Sequence, residues 1–236
     1  MQVLKQHKNI VLIAVVLVVI LTLSLFIAQL FTSIPPSQTP TSSLYPGEVT
    51  RYQNQSLTPI SHFMQDIAQH PDVAIAGTQT LNLATYRLTV TGLVNHTMEF
   101  TYDDLVNNFT AYQKVARLLC VEGWSDTLLW QGVRVSDLLQ EAGASPNANT
   151  LIFSATDGYT TSLPLDYTVQ NNLILAYKMN NVTLTPQAGF PLSLVAQNQY
   201  GYKWIKWLTS IDVSNDSSYL GYWESQGYPN NAAIPK

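Results

Sequence analysis

A single cysteine, Cys120, in 236 residues leaves no possibility of an internal disulfide. That thiol is either small apolar filler in a core or sulfur kept for its chemistry. Charge is scarce as well. Asp, Glu, Lys and Arg make up 11% of the chain, against roughly 25% in ordinary soluble domains. The net charge of −4 and the lack of any basic stripe argue against a nucleic-acid partner. There is no Gly-x-Ser-x-Gly elbow, which argues against a serine hydrolase of that type, and no Cys-x-x-Cys-His for attaching haem. No internal repeat is visible.

One long hydrophobic run is present. Residues 10–31 carry no charge. At 1.5 Å per residue the run is long enough to cross a bilayer core of about 30 Å. A cleaved signal peptide would have a shorter apolar region, about 7–15 residues, ending at small residues. Here Ala28 is followed by bulky Leu30 and Phe31. The run therefore reads as an uncleaved anchor. Lys5 and Lys8 precede it, and the first charges after it are Glu48 and Arg51. The positive-inside rule then places residues 1–9 in the cytoplasm and the rest of the chain outside the cell membrane, as a single-pass protein. Asn54, Asn95, Asn108, Asn181 and Asn215 each open an Asn-x-Ser/Thr triplet, which agrees with an exported, glycosylated surface.

Residues 32–47 are rich in Ser, Thr and Pro and cannot bury enough apolar surface to fold, so they read as a stalk. Residues 48–236 remain for one domain. Alternation over 86–92 predicts a strand ending on Gly92. Thr101 and Asp104 form a capping box for a short helix reaching Val106. Residues 113–120 read as a buried strand with Cys120 at its end. Ser136 is placed to cap a helix over 137–142 that Gly143 stops. Further strands are expected over 151–154, 173–179, 191–196 and 204–213, with Asp157 and Gly158 forming a turn. Many strands and few short helices in irregular order predict an α+β domain with mixed sheets, preceded by one transmembrane helix.

Several motifs then follow one another in order. They are the strand from Tyr86 to Val94, Cys120-Val121-Glu122-Gly123-Trp124 with Trp130-Gln131-Gly132, and Asp157-Gly158-Tyr159 with Ser162-Leu163-Pro164. After these come Gly189-Phe190-Pro191, the segment from Tyr200 through Gly201, Tyr202, Lys203, Trp204 and Lys206 to Trp207, and Gly221-Tyr222-Trp223-Glu224. In this order the chain resembles the sulfite oxidase-type molybdopterin-binding domain over about residues 86–228. The segment from Leu57 to Phe63 is similar to that family's lead-in.

The resemblance implies a molybdenum–molybdopterin cofactor, with tungsten as an alternative metal. Cys120 would be the one protein ligand to the metal, which suits a soft thiolate at a sulfur-rich centre. Tyr159 would stand beside the metal on the substrate side. Gly201, Tyr202, Lys203 and Lys206 would hold the cofactor. A buried lysine needs an anion and a phosphate would serve, although both lysines could instead snorkel from a half-exposed strand. Thr156, His62 and Phe63 correspond to further cofactor contacts. Ala188 and Ser193 stand where many relatives carry Asn or His and Arg, which leaves the phosphate to Lys203, Lys206 or Arg117. The family reading also implies that Cys120 faces a cavity shared with Tyr159 and Lys203.

Two functions are then open. One is a membrane-anchored, extracytoplasmic oxidoreductase that transfers an oxygen atom and two electrons to or from a small-molecule substrate. Its electron partner would be a membrane haem protein or quinone-linked protein. The other is a binding or structural module that keeps the fold without the metal.

Overall fold

A computed structural model describes residues 44–71 and 73–235. The anchor expected over 10–31, the segment before it and most of the 32–47 stalk lie outside the described residues. Among the described residues no helix is long and apolar enough to cross a membrane.

The chain opens with a small antiparallel ribbon, β1 (Arg51–Tyr52) and β2 (Gln55–Ser56), followed by helix α1 (Ile60–Gln69). Then come β3 (Leu88–Gly92), β4 (Met98–Phe100), α2 (Tyr102–Asn107), β5 (Tyr112–Leu119) and β6 (Ser125–Arg134). Helix α3 (Val135–Ala142) leads to β7 (Thr150–Ala155) and β8 (Thr160–Pro164). Helix α4 (Leu165–Gln170), β9 (Ile174–Met179), β10 (Val182–Thr183), β11 (Ser193–Val195) and β12 (Leu208–Ser214) complete the fold. Short 3-10 turns occupy Gly201–Lys203 and Glu224–Gln226.

The strands form two larger sheets. In one, the order is β10-β9-β6-β5, with β11 also paired to β9. In the other it is β4-β3-β12-β7-β8, where β3 and β12 run parallel and the remaining pairs antiparallel. Mixed sheets with short helices match the expected α+β class. Gly132 sits at a bulge where β6 meets β9, and a Cβ there would lie 1.9 Å from the Leu175 carbonyl oxygen. Only glycine permits that approach.

The Thr101–Asp104 capping box forms as expected and starts α2. Helix α3 ends at Gly143 in the left-handed region, φ 67°. Its start differs from the expectation. Arg134, not Ser136, holds the cap position, and the Ser136 hydroxyl donates to the Asp137 carboxylate instead. Apolar Val135 is fully buried, and its place in the core draws the helix back. Helix α1 was not anticipated. It follows Pro59 with no side-chain cap, and buried Ile60, Phe63 and Ile67 hold it on the β5–β6 sheet. Phe63 meets Trp130 edge-on at 5.9 Å.

Candidate active site

Cys120 follows the last residue of β5. Its amide donates to the Trp124 carbonyl at 3.0 Å, and the Gly123 amide donates back to the Cys120 carbonyl at 3.1 Å. These bonds close a tight turn that Gly123 completes at φ +97°. The turn feeds β6, so two paired strands fix the position of Cys120.

Cys120 is 8% exposed and lines a cleft of about 770 Å³, counted with its open mouth. An aromatic, apolar lining with a few polar groups is typical of a site for a small molecule or cofactor. Phe63 and Ile67 from α1, with Leu118 and Trp130 from the sheet, form one wall. Gly201, Tyr202 and Trp204 form another. The two walls are joined by an isolated parallel bridge between Leu119 and Tyr200, and by Trp130 and Trp204, whose rings lie 5.7 Å apart. Trp223 and Tyr228 complete the lining.

The thiol of Cys120 lies 3.9 Å from the Glu122 carboxylate. Glu122 in turn pairs with His70, whose ring stacks on Trp124 at 5.9 Å. Thiol, carboxylate and imidazole thus form a polar line along the cleft. Lys206 brings a cation into the same cleft, beside Ala188 and Ser193. Its ammonium sits 4.7 Å from the Trp207 ring centroid and donates to the Gln187 carbonyl at 3.4 Å. The approach of these segments depends on Gly189, at φ +101°, where a Cβ would come within 2.9 Å of the Lys206 Cβ.

The structure brings Cys120, Phe63, Gly201, Tyr202 and Lys206 together and places the other expected residues elsewhere. Lys203 is fully buried and does not line the cleft. Its ammonium pairs with Glu224 and donates to the Ser162 carbonyl at 2.8 Å and the Asn230 side chain at 3.1 Å. Burial pushes its pKa down, and the Glu224 carboxylate opposes that shift. The anion a buried lysine needs is therefore Glu224. Tyr159 is also fully buried outside the cleft, and its hydroxyl donates to the Tyr202 carbonyl at 2.5 Å. It supports the wall from behind. The Tyr202 phenol has its pKa pushed up to about 12, chiefly by burial, and donates to the Pro229 carbonyl. Thr156 is exposed, and its amide donates to the Trp207 carbonyl. His62 points off the far side of α1, with its side chain 57% exposed and beside Asp66. Arg117 is exposed on β5, and as an alternate residue it faces away from Leu118 and the cleft.

His70 was not anticipated. Only the fold brings this loop residue to Glu122.

A family model described as an oxidoreductase molybdopterin binding domain matches residues 75–223. The chain belongs to this family. Among curated relatives of the molybdopterin-binding domain is the uncharacterized oxidoreductase YuiH of Bacillus subtilis. It is 38% identical over 62% of this chain and 74% of its own length. A putative protein-methionine-sulfoxide reductase subunit, YedZ1 of Azospira oryzae, is 35% identical over 63% of this chain and 56% of its own. The protein-methionine-sulfoxide reductase catalytic subunit MsrP of Gluconobacter oxydans is 28% identical over 71% of this chain and 59% of its own. The chain thus spans little more than half of these last two. Among solved structures, the sulfane dehydrogenase SoxCD of Paracoccus pantotrophus superposes with a TM-score of 0.56. It shares 25% identity over 59% of this chain and 41% of its own. Like its relatives, the molybdopterin-binding domain is that of an oxidoreductase, and the cofactor reading rests on that membership and on the cleft.

Proposed function

We propose that the protein is a membrane-anchored, extracytoplasmic oxidoreductase whose molybdopterin cofactor occupies the Cys120 cleft, with Cys120 as the protein ligand to molybdenum. The observation that carries this reading is the chain's lone thiol, held on a strand end and facing an open aromatic cleft. The residues present fit such a group. A thiolate is a soft donor, aromatic faces suit a flat heterocycle, and Lys206 supplies a cation for a phosphate. The small side chains of Ala188 and Ser193 leave that end of the cleft open to it.

When bound, the cofactor would supply two-electron oxygen-atom transfer. The chain's own part is to hold, orient and shield. Cys120 is fixed through the backbone bonds of its turn, which limits ligand motion. Trp130, Trp204 and Phe63 keep water from the inner wall. The Glu122–His70 pair can hold a proton beside the thiol and pass it along the cleft. Tyr159 and Lys203 act as positioning residues, fixing the wall that carries Gly201 and Tyr202. The substrate is a small molecule that gains or loses an oxygen atom. Electrons would pass to or from a membrane haem or quinone-linked protein, which fits the anchor expected over residues 10–31.

Metal and pterin analysis tests this on the full-length chain made in a host that synthesises the cofactor. Molybdenum or tungsten near one per chain, with pterin, is expected, and the metal should be lost in Cys120→Ser. A folded chain containing neither metal nor pterin would overturn the reading in favour of a cofactor-free binding module.

A further inference from the structure

On the other side of α1 lies a second cluster that the cleft does not use. Asp126, next to the start of β6, is fully buried, and among the described residues neither of its carboxylate oxygens accepts a hydrogen bond of good geometry. It pairs across the strands with Leu118, so its side chain lies on the face that α1 covers. Helix α1 presents His62 and Asp66 to it, one turn apart, with His62 Nε2 3.5 Å from Asp66 Oδ2. One ligand atom from each of His62, Asp66 and Asp126 lies within 4.8 Å of the others. None of the three lines the cleft.

We propose that His62, Asp66 and Asp126 form a divalent-metal site, separate from the molybdopterin cleft, that takes a first-row transition ion such as zinc. A buried carboxylate whose nearest polar groups are the Thr58 hydroxyl and a second carboxylate, Asp66, is costly unless a cation or a shared proton answers it. The second carboxylate raises that cost. Ligands at about 2.0–2.2 Å around tetrahedral zinc sit roughly 3.4 Å apart, close to the His62–Asp66 spacing. An imidazole among the donors favours a transition ion, because magnesium and calcium prefer all-oxygen shells with more ligands. The exposed His62 side leaves the remaining position to water. The site would tie α1 to the start of β6. Since Phe63 and Ile67 on the other face of α1 line the cleft, the ion would steady that wall without touching the cofactor.

The test uses the full-length chain carrying Cys120→Ser, which removes the cleft thiol as a competing zinc ligand. The protein is stripped with a chelator, then titrated with zinc chloride alone by calorimetry and followed by thermal unfolding. One zinc per chain is expected, with Tm rising by about 5–10 °C at a hundredfold excess over Kd. Adding Asp126→Asn, or separately His62→Ala, should weaken zinc binding at least tenfold. His62 is exposed, so its replacement leaves the fold intact even if the buried change does not. Absence of saturable binding, or binding unchanged in His62→Ala, overturns the proposal. A Tm that rises on acidification but not with zinc would assign the pair to a shared proton instead.

Discussion

Replacing Lys203 by Met tests whether this lysine clamps the cleft wall or serves the cofactor directly. In the structure its ammonium satisfies all three of its donors, on Glu224, the Ser162 carbonyl and Asn230. Among the described residues Glu224 keeps only the Thr161 hydroxyl besides, at 2.7 Å, and its second oxygen has no hydrogen-bond partner there. Lys203→Met therefore strands a buried carboxylate. Breaking such a pair from one side costs about 3–5 kcal/mol. For a domain of this size that is roughly 6–20 °C in Tm. Lys203→Met combined with Glu224→Leu removes the stranded charge and should recover at least half of the loss. The assay is denaturant unfolding of the full-length chain, followed by the fluorescence of buried Trp130, Trp204 and Trp207. A Lys203→Met chain with the wild-type midpoint but without bound pterin would refute the clamp and restore the phosphate role read from the sequence.

Gly132→Ala should destabilise by about 3 kcal/mol or more, because its Cβ would collide with the Leu175 carbonyl rather than with a side chain that can turn away. The same unfolding assay measures it. Thr101→Ala removes the cap of α2 and should cost about 1 kcal/mol at pH 7. Its pH dependence is diagnostic. Hydrogen bonds from the Thr101 hydroxyl and then the Thr101 amide hold the Asp104 carboxyl below its ordinary value of 3.8. That contribution is present above pH 3.8 and is lost as pH falls through the lower folded value. The gap in Tm between wild type and variant should therefore narrow in strong acid, leaving the part due to the Asp104 amide's bond to the Thr101 hydroxyl. A gap that stays constant from pH 7 to pH 2 would show that the carboxylate plays no part.

The sequence showed the fold class and the place of Cys120 at the end of β5 well, because both depend on local pattern. Alternation over 86–92, the Thr101 box and the Gly143 stop all appear in the structure within a residue or two. Cys120 closes β5 as expected. What the sequence could not show was direction and partnership across the chain. Lys203 and Lys206 stand three apart in the same aromatic run, yet one meets Glu224 in the interior and the other enters the cleft. Nothing in the run distinguishes them, because the choice lies in which segment packs behind each. Tyr159 follows the same logic. Its hydroxyl found the Tyr202 carbonyl, and a tyrosine beside a turn looks the same whether it faces a cofactor or a neighbouring backbone. The longest strand, β6, was missed because its Leu128-Leu129-Trp130 run is buried on both faces and shows no alternation.

The bridge between Leu119 and Tyr200 also sets an order of events in time. One wall of the cleft is made by a hairpin near the middle of the chain. The other is held by residues 224–232, through the Tyr200 amide on the Ala232 carbonyl and Lys203 on Glu224. While the ribosome still shelters that later segment, Cys120 has no fixed opposite wall. A partly made chain therefore cannot close this cleft around a ligand. Whatever fills the cleft must wait until residues 224–232 have docked.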